Sequence, residues 1–383
     1  MTVFQPKTAV LTGVLAVASL ALSACGADSD ASGSDGGKSA ATATTAEALG
    51  GIDALAEAAK KEGTLHAIAL PRDWANYGAL IDGFTKKYGI KVQVENPKGA
   101  SQDEISAVTS RKDKGNAPDV LDLGSSFAQS AAQDGLLAPY MVAGFADIPD
   151  VQRDSIGRWA NDYGGYISFG CDAKRVQTCP TSFKDLLEPQ YKGKVALNGN
   201  PTQSGSAFGA VYAAALANGG SYDDIQPGID FFNKLRRSGN YTPVQSTPAT
   251  IASGKTPISI DWDYLNAAHT SAFKSRGLDW KVVVPSEGKF SQYYSQAINK
   301  DAPHPAAARL WLEYLYSTEG QNLRLKGFAR PALMTAMKKA GTLDKSAAAK
   351  LPKVSGTPDF PTETQQGNAK GIIAQSWSKG GAS

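Results

Sequence analysis

From residue 50 onward the chain alternates between helical and extended patterns, and that alternation limits its architecture more than any other feature. "GGIDALAEAAKKEG" reads as an amphipathic helix stopped by Gly63, and "TLHAIAL" as a strand broken by Pro71. "NYGALIDGFTKKYG" is a helix stopped by Gly89, and "IKVQVEN" is the next strand. "SQDEISAVTSRKDKG" is helical, with Ser101 and Glu104 at the spacing of a capping box, and "PDVLDLG" is a third strand. Strand and helix in turn demand an α/β domain with a largely parallel sheet. The second half repeats the style without repeating the sequence: "YGGYISFG", "GKVALNG", "TPISIDW" and "DWKVVVP" read as strands, "SGSAFGAVYAAALANGG" and "GIDFFNKLRRSG" as helices. "AAARLWLEYLYSTEGQNLRLKG" closes the pattern as one long amphipathic helix or a pair. With 383 residues there is length for two such lobes, joined by strands near "YGGYISFG" and "YYSQAIN". Residues past about 340 are Lys-, Ala- and Pro-rich and show no clear element.

The first 25 residues stand apart from this pattern. Lys7 precedes the uncharged, small-residue run "TAVLTGVLAVASLAL", and then comes "LSAC", Leu22 to Cys25. This is a secretory signal ending in small residues before a cysteine, and it resembles the bacterial lipobox, in which that cysteine is lipidated. The alternative is a plain cleaved signal or a short anchor helix. We assign 1–24 to the signal and expect Cys25 to carry lipid. The next stretch, "GADSDASGSDGGKSAATATT", lacks large apolar residues and reads as a flexible tether over 25–49. No later stretch reaches the roughly 18 apolar residues of a membrane span, so the membrane is expected to be met only through the lipid, on the extracellular face. Outside the cell Cys171 and Cys179 face an oxidising setting. They either close a short loop as a disulfide, worth about 2–3 kcal/mol in the chain-entropy model, or remain two buried thiols.

Composition excludes several functions. Formal net charge is +3 with no long basic run, which leaves no nucleic-acid footprint. Only three histidines occur, His66, His269 and His304, and none pair at metal-ligand spacing in the sequence, so no metal is expected. No HExxH or GxSxG appears. "ATIASGKT" ends like a phosphate-binding loop but has Ala249 where the first glycine belongs, and Pro257 then opens a strand rather than a helix.

What remains is a set of polar and aromatic residues at the carboxyl ends of strands, where open α/β sheets bind ligands. "LPRDWANYG" offers Asp73, Trp74, Asn76 and Tyr77; "LDLGSSFA" offers Ser125 and Ser126. "NPTQSGSAF" offers Thr202, Ser204 and Ser206 at a helix start, which suits an anion and equally suits ordinary N-capping. "SIDWDYLNAA" puts Asp261, Trp262, Asp263 and Tyr264 in a row. Strand alternation places Asp261 and Asp263 on one face and Trp262 and Tyr264 on the other. Acids and an aromatic face together attract a cation; the plainer reading is that Asp263 caps a helix and Trp262 is core. "SQYYSQAI" adds Tyr293 and Tyr294, of which one would face a given ligand.

The stretches "APDVLDLGSSFAQSAAQDGLLAPY", "TSFKDLLEPQYKGKVALNGNPTQSGSAF", "YDDIQPGIDFFNKL" and "INKDAPHPAAARLWLEYLYSTEGQ" resemble the substrate-binding lipoproteins of bacterial ABC importers. The branch resembled includes spermidine/putrescine, ferric-iron, thiamine and phosphonate binders. The resemblance implies a type II periplasmic-binding-protein-like fold, two hinged lobes with a ligand cleft between them. Lobe 1 would hold 50–165 and 290–340, lobe 2 would hold 166–289, and 341–383 would be a C-terminal extension. It implies a small-molecule solute, a membrane permease as partner, a monomer, no cofactor and no catalysis. A polyamine-like, cationic or zwitterionic solute would use Trp74, Trp262, Asp261, Asp263 and Tyr293. Iron would use Tyr293 and Tyr294, and a phosphonate would lean on Ser125, Ser126, Ser204 and Ser206. The reading from another class is a secreted two-lobed hydrolase, against which the scarcity of histidine argues.

Overall fold

The computed structural model describes residues 40–354 and 359–378. The signal, Cys25 and most of the tether lie outside the described residues. The tether expectation reaches too far, however. Ala40, Ala43 and Ala46 are buried, because the guanidinium of Arg309 donates to the carbonyls of Ala41 (2.8 Å) and Ala43 (2.8 Å). Small side chains let this segment lie close enough for those bonds.

The first strands and helices follow the sequence pattern: α1 (Ile52–Glu62), β1 (Thr64–Ile68), α2 (Tyr77–Tyr88), β2 (Lys91–Glu95), α3 (Ser101–Ser110), β3 (Val120–Gly124), α4 (Ser125–Gln133) and β4 (Leu137–Ala138). Gly63 and Gly89 end α1 and α2 in the left-handed conformation, each donating its N–H back to the last turn, as glycine permits without steric cost. The long β5 (Ala160–Asp172) follows, then β6 (Val195–Leu197), α5 (Gly205–Ala217), α6 (Gln226–Arg237), β7 (Ile258–Trp262), α7 (Asp263–Lys274), β8 (Trp280–Val283) and β9 (Ser291–Asn299). After these come α8 (Pro305–Tyr316), α9 (Thr318–Lys326), β10 (Arg330–Pro331) and α10 (Glu363–Ser376). "AAARLWLEYLYSTEGQNLRLKG" is thus a pair, divided at Ser317, whose hydroxyl caps α9 by accepting from Gly320 N–H (3.1 Å).

Among the described residues the principal strand order is β2-β1-β3-β9-β5-β7-β6. The sheet is mixed, not largely parallel. β1 pairs in parallel with β2 and β3, and β6 with β7, but β9 runs antiparallel to β3 and β5, and β5 antiparallel to β7 and β8. Helical crossovers explain the parallel pairs. β5 follows a long excursion from β4 and β9 a short loop from β8; both run against their neighbours in the sheet, which local periodicity does not encode. β5 changes partners midway: Ala160–Tyr166 pairs with β9, and Ile167–Asp172 with β7 and β8. It is therefore shared by both halves of the fold.

Each half has its own packing logic. In the first, α8 lies against α1 and puts Trp311 and Tyr314 onto Phe84 (ring centroids 5.1 and 5.7 Å). In the second, the Ala-rich α5 is buried from Gly205 to Ala215, because sheet lies on one side and α6 on the other. A helix apolar all round belongs in such a position. Cys171 and Cys179 are joined in a disulfide at the far end of β5.

The capping-box reading at Ser101 is displaced by one residue. Ala100 precedes the helix, and its N–H donates to Asp103 (2.8 Å). Ser101 and Glu104 are thereby released to accept from the N–H groups of Gly124 (3.1 Å) and Asp122 (2.8 Å). Both side chains hold the carboxyl end of β3 in place.

Candidate functional site

The end of β3 and the start of α5 meet. A β-carbon built on Gly124 would lie 3.0 Å from the Cα of Gly205, and one on Gly205 would lie 3.1 Å from both the Cα of Gly124 and the hydroxyl of Tyr294. Gly124 is the residue before α4 and Gly205 the first residue of α5. Two helix N-termini, one from each half of the sheet, therefore converge. Neither has an acidic residue of its own in its first turn, so both present the positive end of the helix dipole. Ser126, in the first turn of α4, has a buried hydroxyl without a hydrogen-bond partner.

Beside this contact lies a group of five aromatic rings. Trp74, Tyr163 and Tyr294 come from the β1–α2 loop, β5 and β9; Trp262 and Tyr264 come from the end of β7 and the start of α7. Tyr163 stacks on Tyr294 (5.7 Å), as β5 and β9 pair there. Trp74 meets Tyr294 edge-on at 5.4 Å. Tyr264 bridges the halves, at 6.0 Å from Trp74 and 5.8 Å from Tyr163, and Trp262 reaches Tyr294 at 6.2 Å. Tyr264 is fully buried, and its hydroxyl has no hydrogen-bond partner. Under the rings runs a hydrogen-bonded chain: Trp74 Nε1 donates to Tyr163 Oη (2.7 Å), and Tyr163 Oη donates to Asp122 Oδ2 (2.6 Å). Gln296 Nε2 donates both to Asp122 (2.8 Å) and to Tyr77 Oη (2.9 Å). Burial pushes the Asp122 carboxyl up to about 7, although Arg324 and the Tyr163 hydrogen bond favour its charged form.

The remaining expected site residues divide in two. Ser125 donates to the carbonyl of Tyr293 (2.6 Å). Ser204 caps α5, accepting from Ala207 N–H (3.4 Å) and donating to the Asn198 carbonyl (2.8 Å). Ser206 is bonded to Asp261, which also accepts from Asn198 (3.0 Å) and from its neighbour Trp262 N–H (2.8 Å). Burial raises the Asp261 carboxyl to about 6, against the pull of those donors. Asp263 accepts from Tyr166 N–H (3.0 Å) and pairs with Arg330 (2.5 Å). The expectation that the two aspartates share a face is corrected: β7 ends at Trp262 and a helix begins at Asp263, so strand alternation stops between them. Both carboxylates have internal partners. Trp262 lies against Gly209 of α5, as core. Asn76 takes a left-handed conformation and donates to the Leu323 carbonyl (2.7 Å). Tyr77 is buried under Arg324, Asp73 is exposed, and Tyr293 is half-buried against Phe360 (5.9 Å).

Sequence reading omitted Asp122, Tyr163 and Gln296. Asp122 and Tyr163 lie inside strands that read as core, and their polarity at alternate positions of "VLDLG" and "NDYGG" was the available signal. Among the described residues one group, His66, Asp119 and His304, has the composition of a metal site. Asp119 is already occupied: it accepts from His66 N–H (2.6 Å) and His304 N–H (2.7 Å), and its carboxylate holds the His304 ring (2.9 Å). It ties β1 to the entry of α8, where His304 is the residue before the helix. No helix among the described residues is long and apolar enough to cross a membrane.

Comparison with known proteins agrees with this fold. Residues 115–354 match the family described as bacterial extracellular solute-binding protein. A putative 2-aminoethylphosphonate-binding periplasmic protein of Salmonella paratyphi A is 27% identical over 255 residues, 64% of this chain and 70% of that one. Among solved structures, the periplasmic binding protein AfuA from Actinobacillus pleuropneumoniae, with fructose-6-phosphate bound, superposes with a TM-score of 0.67 at 19% identity, covering 82% of this chain and 98% of its own. Iron-bound HitA from Pseudomonas aeruginosa gives 0.59 at 19% identity, covering 82% and 98%. These likenesses carry the two-lobed fold.

Proposed function

The chain belongs to the bacterial extracellular solute-binding proteins, which serve ABC importers, and on that premise we propose that its solute is a small zwitterion held between the two halves. The observation that carries this is the meeting of two helix N-termini at Gly124 and Gly205, directly beside five aromatic rings. Helix N-termini favour an anionic group. Ring faces favour an ammonium by about 0.5–2 kcal/mol, and the Asp122 carboxyl beneath them adds negative charge when ionised. The two surfaces lie side by side, which suits a molecule whose ammonium and anion are a few bonds apart. An aminophosphonate has that form, and the Salmonella relative carries such a name.

The site is shut, ring on ring, so the solute enters by separation of the halves. The hinge in this reading is where β5 changes partners, at Tyr166 and Ile167, together with Phe290, whose carbonyl accepts from Ile167 N–H (3.0 Å). Closure then follows from contacts that only the shut form makes. We read the protein as a monomeric binder rather than an enzyme, tethered outside the cell through lipid on Cys25.

The test is a thermal-shift and calorimetric screen of 2-aminoethylphosphonate, putrescine, phosphate and ferric citrate. The zwitterion at 100 times its dissociation constant should stabilise the protein by about 2.7 kcal/mol, with putrescine and phosphate weaker. A stronger response to ferric citrate, or equal responses to both half-molecules, would overturn the assignment.

A further inference from the structure

The C-terminal segment lies outside the residues that match the family, and it is tied to both halves of the fold. It starts with a capping box: Thr362 accepts from Gln365 N–H (3.3 Å), and Gln365 accepts from Thr362 N–H (2.9 Å). From there α10 buries Gln366, Ala369, Ile373 and Trp377 along one stripe.

On the first half, Lys370 donates to Ser130 of α4 (3.1 Å) and lies over Phe127 (4.2 Å). Gln292 of β9 donates to Gln366 (2.5 Å). On the second half, Tyr212 of α5 donates to the Gln365 carbonyl (3.0 Å), and Tyr222 to the Asp359 carbonyl (2.7 Å). Gln365 donates to Asp223 (3.0 Å), while Trp377 sits between Phe232 (5.4 Å) and the guanidinium of Arg236 (4.0 Å). Phe360 and Gln366 also wall a narrow pocket with Ser125, Asn161, Gln292 and Tyr293, next to the start of α4.

We propose that residues 359–377 form a latch that closes the mouth of the solute site beside Ser125 and holds the two halves shut. To open the cleft, the segment must release α4 and β9 or release α5 and α6, so its contacts govern how fast the solute exchanges. Lys370 is the natural point of release: it is a cation partly desolvated against Phe127, and its charge is disfavoured by that burial. The proposal rests on the two-lobed reading but not on the identity of the solute.

The experiment needs no solute. Hydrogen exchange followed by mass spectrometry compares the full chain, a chain ended after Val354, and the double variant Gln366→Ala/Lys370→Ala. Amides at Ser125–Phe127 and Gly205–Phe208 should exchange about tenfold faster in both altered proteins, the change that each 1.4 kcal/mol of lost closure produces. Amides of β1 should be unchanged. If truncation speeds β1 as well, the double variant decides: acceleration confined to the two helix starts supports the latch, and parental rates there overturn it. A failed solute screen would leave this outcome standing, and a parental exchange pattern would leave the solute assignment standing.

Discussion

Arg324 lies buried between the faces of Tyr77 and Tyr163, each 4.0 Å away, with both of its terminal donors committed. Nη2 and Nε bind Asp162 (2.7 and 3.0 Å), and Nη1 binds the Ala75 carbonyl (3.1 Å). Arg324→Ala leaves the buried Asp162 without its countercharge, so unfolding by urea should show a loss of roughly 3–5 kcal/mol. A loss below about 1 kcal/mol would mean water reaches Asp162. Asp122, nearby, supports a pH prediction. Its folded value near 7 stands above the ordinary 3.8, so between those values the folded state binds more protons than the unfolded one. The carboxyl's contribution to stability is complete below about 4 and is lost as pH rises towards 7. Asp122→Asn has no such titration: the melting temperature of the variant minus that of the parent should climb across this interval and level off above it. A flat difference would show that Asp122 is solvated. Neither residue was marked by sequence: Asp122 sits in a strand that reads as core and Arg324 in a polar helix that reads as surface, and only tertiary neighbours reveal why each charge is tolerated there.

Elements were legible where local chemistry decides them and obscure where tertiary partners do. Gly63, Gly89 and Ser317 ended or capped helices as their residue types dictate. The run "ISIDWDY" was half legible: the strand, the core Trp262 and a helix start at Asp263 were, but Arg330 and Tyr166, which hold the Asp263 carboxylate, lie elsewhere in the sequence. α10 passed unnoticed although Thr362 and Gln365 have capping-box spacing and Gln366, Ala369, Ile373 and Trp377 have helical spacing, since the Lys-rich composition around 340 masked it. At the end of β5, the bridge from Cys171 to Cys179 fixes the turn leading away from the sheet. Cys171→Ala/Cys179→Ala should lower stability by about 2.5 kcal/mol, the loop-closure value for so short a ring. Solute binding should be unaffected, because the bridge is at the end of β5 remote from Tyr163. Reduced affinity with unchanged stability would contradict that separation.

At the scale of the whole molecule, alternation along the chain made an α/β fold legible but not the antiparallel β5 and β9, whose pairing spans more than a hundred residues of sequence. In the proposed closure those two strands form the axis shared by the halves, and Gly124 against Gly205 is where the motion ends. Gly124 has φ −55°, a conformation open to any L-residue, so a substitution there acts through space rather than through backbone strain. A β-carbon already falls 3.0 Å from Gly205, and the two methyls of valine extend further into the opposing helix start. Gly124→Val should therefore keep the halves apart while leaving each half folded. Small-angle scattering without solute should give the variant a larger radius of gyration than the latched parent. Its affinity should fall at least about tenfold, since the contacts made only on closure, more than roughly 1.4 kcal/mol, are lost. If Gly124→Val is as compact as the parent and binds as tightly, the helix N-termini do not approach one another in the bound state, and the anionic end of the solute must be held elsewhere.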